Sequence, residues 1–459
     1  MTKCNTKIKN TALILAGGIG ARMKTATPKQ FLNIAGKPVV VHTMLAFEKS
    51  KYITDIILIC PKEYIDKLKD LTKKYGFKKV KAIVAGGKTR QKSSYNGLKK
   101  CSKGTQCVLI HDAVRPFVTD KIIKDTLEAA ERSGASDTVI DTADTIVEER
   151  NGFIKKIPLR KYLKRGQTPQ GFNYKAIMDA HKKAIKNPLV KVTDDCGLVT
   201  AFGGKVELVE GSVYNIKLTE QTDLYLAERL FQMQSDDRIE SVDYRDLYGK
   251  TAVVFGGSGG IGAEVVTLLK KYGCNAVPLN LSSDIKCDIT KETSVKKALN
   301  KVVKKYGRID IVVNSAGLLN MSTIEKMELK TWEKVINVNL TGAFILSKHC
   351  IPILKKRKEA HIVHVASSSY TLGRENYSAY SASKAGLVNF CQALAEEVIK
   401  DNIYVNVISP QRVNTPMRNK NFGAESGETL LSPYEVAEKI VKYCVLKETG
   451  HVVDVRNQR

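Results

Sequence analysis

Two clusters of residues in this chain have the spacing of reacting groups. In "YSASK", Tyr380 and Lys384 stand four apart, which puts both on one face of a helix. In "LILAGGIGARM" and the "TPKQF" after it, glycines 17, 18 and 20 are flanked by Arg22 and Lys29. A phenol can hand a proton to a developing alkoxide, but its ordinary pKa near ~10 is too high for efficient acid catalysis at neutral pH. A lysine one turn away favours the phenolate and corrects this. Two cations around a glycine turn suit a nucleoside triphosphate. A dinucleotide fingerprint would need a third glycine where Met23 stands. Read alone, a tyrosine and lysine at this spacing are usually a solvated helix face. Any single cation in so basic a chain is by default a surface charge.

A second glycine-rich stretch, "VVFGGSGGIGAEV", brings in the elements that must carry such groups. An apolar strand runs into Gly256, Gly257, Gly259, Gly260 and Gly262, and a helix follows. Glycine lets backbone approach a pyrophosphate there, with the helix N-terminus facing its charge. The "AGGKTR" segment is not a P-loop, because Ala82 stands where the first glycine is required. Around these loops, short apolar strands alternate with helices twice over. In the first half the spacing predicts strands at 12–16, 56–60, 82–85, 107–111 and 137–140, with helices at 39–49 and 93–99. In the second half it predicts strands at 251–255, 276–279, 309–314, 361–366 and 404–408. Such alternation implies parallel sheets with right-handed crossovers. The polar stretch "MQSDDRIESVDYRDLYGK" separates the halves, giving domains at 1–235 and 249–459 with a linker at 236–248.

A chain of 459 residues exceeds one ordinary core. No apolar run reaches membrane-spanning length, and the N-terminus lacks a signal-peptide core, so a cytoplasmic enzyme is expected. The ten cysteines are scattered without zinc spacing, so they read as reduced structural thiols. The net charge is +27, from 74 basic and 47 acidic residues. The lysines are spread along the chain with no aromatic-basic motif, which favours small anionic substrates over nucleic acid or membrane.

The second half adds "NSAG", "NVNL", "VASSSY" and "ISPQRVNTPM" around "YSASK", in an order that resembles the short-chain dehydrogenase/reductase family. The resemblance implies that Tyr380 is the acid, Lys384 its tuner and ribose contact, Ser367 (or Ser368) the hydroxyl on the carbonyl, and Asn339 the holder of a relay water. The cofactor contacts implied are Gly256, Ser258, Gly260, Ile261, Gly262, Ser282, Asp288, Asn314, Ala316, Gly317 and Thr415, besides Tyr380 and Lys384. An NAD enzyme carries an acid after its second strand. Here Asn280, Leu281 and Ser282 stand in that region, so NADPH is expected over NADH. Gln411 departs from the family's usual glycine and puts the local loop in question.

The first half carries "LAGGIGARM", "PKQF", "HDAVRP", "TPQ" and "NIKLT", and resembles the cytidylyltransferases of the methylerythritol-phosphate and ribitol-phosphate type. The implied reaction is in-line attack of a phosphate monoester on the α-phosphorus of CTP, with loss of pyrophosphate. Position and positive charge do most of the work in such a transfer. The resemblance implies a CTP site of Leu15, Ala16, Gly17, Gly18, Gly20, Arg22, Lys29, Gly87, Arg90, Ser93, Asp112 and Ala113. It places the acceptor at Arg115, Arg160, Thr168, Asp194 and Lys217. It further implies Arg22, Lys29, Arg160 and Lys217 as the catalytic cations, with Asp112 and Asp223 as Mg2+ ligands. Asp194 and Asp195 read equally well as a helix cap or as binders of substrate hydroxyls.

The expected class is therefore α/β, with two doubly wound Rossmann-like domains, a nucleotidyltransferase followed by a short-chain reductase. The pairing resembles fused enzymes of bacterial capsule synthesis. It implies reduction of ribulose 5-phosphate to ribitol 5-phosphate, followed by CMP transfer to give CDP-ribitol. Methylerythritol phosphate activation beside an unrelated reductase, a different polyol phosphate, and a nucleic-acid-binding protein on degenerate folds stay open. A homodimer or tetramer is expected by analogy with other short-chain reductases.

Overall fold

The computed structural model describes the chain apart from residues 1–8, 19–26, 188, 191, 235–241, 424, 426–429 and 458–459. The chain forms two compact units, residues 1–227 and 228–459.

In the first unit a seven-stranded sheet runs in the order Glu207–Glu210, Ala135–Asp141, Lys164–Asn173, Thr105–Asp112, Lys9–Leu15, Asp55–Cys60, Val80–Ala85. Asp55–Cys60 is buried along its whole length, as a strand covered on both faces must be. Phe47, Leu68 and Ile123 bring three helices onto one face of the sheet. Leu98, Ile177 and Leu198 bring three others onto the opposite face. The sheet is not wholly parallel as the sequence suggested. Lys164–Asn173 runs antiparallel between Thr105–Asp112 and Ala135–Asp141. Two glycines and a proline hide this strand from a sequence reading. Its ladder skips between Gly166 and Gln170, which frees Thr168 to turn toward the end of Thr105–Asp112.

In the second unit all seven strands are parallel, in the order Ile285–Lys286, Asn275–Asn280, Thr251–Phe255, Ile311–Asn314, Ala360–Val365, Ile403–Pro410, Val452–Val455. From Thr251–Phe255 the chain winds first to one side and then to the other. This order opens a crevice at the carboxyl ends of the strands, where such sheets bind ligands. Helices Gly260–Lys271 and Pro433–Tyr443 cover one face, and Glu292–Tyr306, Gly342–Leu354 and Ser378–Val398 cover the other. Within the stretch expected as a linker, Leu247, in the 3-10 turn Tyr244–Leu247, is fully buried in the core of this unit. Among the described residues, no helix is long and apolar enough to cross a membrane, and every cysteine is a free thiol.

Candidate active sites

The first site gathers at the carboxyl ends of Lys9–Leu15 and Thr105–Asp112, which lie side by side with Leu15 opposite Asp112. The Ala113 amide closes onto the Leu15 carbonyl at 3.0 Å, and the Ala16 carbonyl accepts from Gln30 at 2.9 Å. Gly17 and Gly18 are exposed. A side chain on Gly17 would meet nothing within 4 Å, and one on Gly18 would meet Lys29 Cε at 3.5 Å. The buried Lys29 stem therefore lies against the glycine turn. Gly20 and Arg22 lie outside the described residues.

Asp112 is the centre of the charged cluster. Its Oδ2 takes Lys217 Nζ at 2.8 Å and has Arg115 Nε at 3.9 Å. Burial works against its charge, but Lys217, Arg90 and Arg115 outweigh burial and hold the carboxyl below its ordinary range. Thr168 Oγ1 accepts from the Asp112 amide at 3.1 Å and meets His111 Nδ1 at 3.0 Å. Arg115 is fixed by donation to the Asn215 carbonyl at 2.7 Å. Lys29, Lys217 and Arg115 thus come from three separate segments, with Thr168 bracing the strand end.

Several expected residues have other uses. Arg90 pairs with Asp195 instead of standing free for a base. Asp195 is almost fully buried and also holds Ser94 at 3.0 Å and His181 at 3.1 Å, so it does not face a substrate hydroxyl. Asp194 caps helix Asp195–Ala201 through the Gly197 amide at 2.7 Å and takes Gln170 at 3.0 Å. Asp194 thus acts as the cap, whereas Asp195 takes neither expected role and ties Arg90, Ser94 and His181 together. Ser93 caps the Gly87 amide at 3.0 Å. Arg160 is exposed in a 3-10 turn and donates to the Ala143 carbonyl at 3.0 Å, with no ion pair to Asp112. Asp223 does not fit the metal role expected of it. Its Oδ2 accepts from the Thr219 amide, the Thr219 hydroxyl and the Glu220 amide at 2.6, 2.9 and 2.8 Å, closing the start of helix Gln221–Gln234. Among the described residues there is no group of three His, Cys, Asp or Glu placed for a metal ion. Of the two carboxylates expected to hold Mg2+, Asp112 is the one placed among the site's cations, in keeping with a metal held by one or two carboxylates and substrate phosphates.

The second site is a cleft of about 560 Å³ at the crevice of the parallel sheet. Gly256 has φ +75, and a Cβ there would lie 2.7 Å from the Ala316 amide nitrogen. At Gly262 a Cβ would stand 2.2 Å from the Gly256 carbonyl oxygen. A Cβ on Gly259, by contrast, would meet open space on the cleft side. Close packing behind and open backbone in front is the cradle a pyrophosphate needs. Gly260, Ile261, Ala316, Gly317 and Thr415 also line the cleft. Ser282 and Asp288 line it further along, Asp288 being held by Thr290 at 2.6 Å. Two expected cofactor contacts do not line it. Ser258 is exposed outside the lining residues. Asn314 is buried one layer back, bonded to His364 Nδ1 at 3.2 Å and accepting from the Ala316 amide at 3.3 Å. It orients the "NSAG" turn.

Tyr380, Lys384 and Ser367 line the same cleft. Burial pushes the Tyr380 phenol above its ordinary value, against a hydrogen bond to Ser367 that favours the phenolate. Ser368 turns instead to Arg374, whose Nη2 donates to it at 3.3 Å. Lys384 Nζ lies 5.7 Å from the Tyr380 ring centroid and donates to the Val365 carbonyl at 2.8 Å. Burial draws its pKa down to about 8. Burial is the largest influence on both groups and opposes the lowering of Tyr380 expected from Lys384. Asn339 sits in a π turn, residues 337–341, between helices Leu329–Ile336 and Gly342–Leu354. Its amide accepts from the Leu318 amide at 2.7 Å and donates to the Leu318 carbonyl and Ser383 Oγ, both at 2.9 Å. All three contacts are to protein. Gln411 is accommodated because its φ is not positive and its amide donates to the Val455 carbonyl at 2.9 Å.

The family model for 2-C-methyl-D-erythritol 4-phosphate cytidylyltransferase matches residues 11–233, and that for short chain dehydrogenase matches residues 250–426. The chain is 43% identical to the 2-C-methyl-D-erythritol 4-phosphate cytidylyltransferase of Clostridium botulinum (strain Loch Maree / Type A3), over 49% of this chain and 98% of that one. The crystal structure of 4-diphosphocytidyl-2C-methyl-D-erythritol synthase from Anaerococcus prevotii covers 49% of this chain and 99% of its own, at 32% identity and a TM-score of 0.44. Over nearly its full length the chain is 37% identical to a bifunctional ribulose 5-phosphate reductase/CDP-ribitol pyrophosphorylase of Haemophilus influenzae, spanning 98% of this chain and 96% of that one. A cytidylyltransferase domain thus precedes a reductase domain of the nicotinamide-dependent short-chain type, and the chain belongs to the family of bifunctional ribulose 5-phosphate reductases/CDP-ribitol pyrophosphorylases.

Proposed function

We propose that the second domain reduces D-ribulose 5-phosphate to D-ribitol 5-phosphate with NADPH, and that the first then transfers CMP from CTP to give CDP-ribitol and pyrophosphate. The observation that carries this is the likeness to the Haemophilus influenzae enzyme across both domains at once. The nicotinamide cofactor supplies the hydride. Tyr380 gives its proton to the developing alkoxide, and Ser367, which lines the same cleft, steadies the same oxygen. Lys384 holds the cofactor ribose. Ser282, with no carboxylate at that position, leaves room for a 2′-phosphate, which favours NADPH.

In the first domain, Lys29 and Arg22 neutralise the triphosphate, and Lys217 with Arg115 holds the phosphates that react. Asp112 positions Lys217 and would hold Mg2+, which would add positive charge against the triphosphate. A phosphate monoester oxygen attacks the α-phosphorus, the bond to the β-phosphate bridge breaks, and pyrophosphate leaves. The charge that builds on it falls among fixed cations.

A second reading is favoured by the 43% identity of the first half to methylerythritol phosphate cytidylyltransferases. The two are separated by offering CTP, Mg2+ and either ribitol 5-phosphate or methylerythritol 4-phosphate and measuring pyrophosphate release. A kcat/KM at least tenfold higher for ribitol 5-phosphate is expected. The reverse preference overturns the proposal. The cofactor is tested with NADPH and NADH at equal concentration, and faster oxidation of NADH contradicts the NADPH assignment.

A further inference from the structure

Three arginines, Arg374, Arg412 and Arg418, line the reductase cleft together with Tyr377. They surround one landmark. The Tyr377 ring meets the Tyr380 ring edge-on at 6.4 Å, and all three guanidinium groups act electrostatically on the Tyr377 phenol. This corner of the cleft is therefore cationic and adjoins the proton donor.

The three arginines are not equivalent. Arg418 is already neutralised: its Nη2 and Nε grip Glu425, with the first contact at 2.9 Å. It also stacks on Phe422 at 4.5 Å, and Phe422 stacks on Tyr377 at 5.9 Å. Arg418 is a structural strut for the aromatic wall. Among the described residues the side-chain partner of Arg374 is neutral, the Ser368 hydroxyl at 3.3 Å, which neighbours Ser367. Arg412 is exposed and, among the described residues, has no side-chain hydrogen bond or ion pair. The lone carboxylate lining the cleft, Asp288, is occupied by Thr290 and by Lys291 at 3.4 Å. Two guanidinium groups thus line the cleft without an ion pair among the described residues, Glu425 acting on Arg412 only from beyond ion-pair distance, and each can bind a phosphate through two parallel N–H donors.

We propose that Arg374 and Arg412 bind the phosphate of the ketose phosphate in the reductase cleft and set its preference for phosphorylated over free pentulose. The proposal rests on the reading that this domain reduces ribulose 5-phosphate. In that substrate only two carbons separate the ketone carbon from the phosphorylated one. A carbonyl at Tyr380 therefore places the dianion at the neighbouring cationic corner. Arg374 joins the two ends, because its Ser368 contact ties it to the segment that carries Ser367.

The test uses the full chain with R374Q, R412Q and the double variant. NADPH oxidation is followed with D-ribulose 5-phosphate and with D-ribulose, and inorganic phosphate is titrated as a competitor of the sugar phosphate. Each single variant should lower the kcat/KM ratio of phosphorylated to free sugar about tenfold, and the double about a hundredfold. The inhibition constant of inorganic phosphate should rise in step. The urea-unfolding transition of the reductase domain should stay at the parent midpoint in the same preparations and so reports folding. Should a Gln variant lower it, R374K and R412K carry the comparison, with a smaller loss expected. A double variant that keeps the parent KM for ribulose 5-phosphate overturns the proposal. So does a rise in the KM for NADPH alone, which would assign the arginines to the cofactor. If the parent itself does not reduce ribulose 5-phosphate, the functional reading fails and this proposal with it.

Discussion

Burial governs the reacting groups of the reductase. It raises Tyr380 and draws Lys384 down to about 8, so the protonated pair exists below that pH. Reduction needs the phenol protonated and the ammonium charged. Its kcat/KM should therefore be level through neutral pH and fall as the pH rises through about 8, with Lys384 losing its charge. A profile flat from pH 7 to 10 would contradict this. The residue types were legible because chemistry restricts them: few side chains can stand for Tyr380 and Lys384 at that spacing. What the sequence hid was second use. Asn314 is a polar residue at a strand end, and only three dimensions show that it orients the next turn; the capping use of Asp194 was legible, but its bond to Gln170 was not. The Asp195 hub was hidden for the same reason, since Arg90, Ser94 and His181 meet it only in the fold.

At the scale of elements, two devices hold the sites in shape. The first turn of helix Gly260–Lys271 packs so closely on the Gly256 turn that a methyl group at Gly262 has no room. Gly262→Ala should destabilise the second domain by about 1–3 kcal/mol and raise the KM for NADPH, measured by urea unfolding and initial rates. An unchanged KM would show that the turn is not the cofactor cradle. In the first domain Asp195 fastens helix Arg90–Leu98 to helix Tyr174–Lys186 through Arg90, Ser94 and His181. Asp195→Ala should cost about 3–5 kcal/mol, because it leaves Arg90 without its buried partner. A loss below about 1 kcal/mol would mean the pair is merely superficial. The central parallel strands were readable as apolar runs, such as "DIILIC", but the short edge strands Glu207–Glu210, Ile285–Lys286 and Val452–Val455 were not expected. Lys164–Asn173 was not, since "RGQTPQG" has loop composition and becomes a strand only through neighbours on both sides.

For the whole molecule, the +27 charge and the two sites share one explanation, since CTP, ketose phosphate and polyol phosphate are all anions. Carrying both domains on one chain raises the local concentration of the intermediate without requiring a channel. The most direct measurement is a one-pot reaction of the full chain with ribulose 5-phosphate, NADPH, CTP and Mg2+, read by mass spectrometry, with Tyr380→Phe and Lys29→Ala alongside. The parent should yield CDP-ribitol. Tyr380→Phe should leave ribulose 5-phosphate unreduced, slowed about 100-fold or more, yet still transfer CMP to added ribitol 5-phosphate. Lys29→Ala should accumulate ribitol 5-phosphate. Absence of NADPH oxidation by the parent, together with CMP transfer to methylerythritol phosphate, would contradict the account.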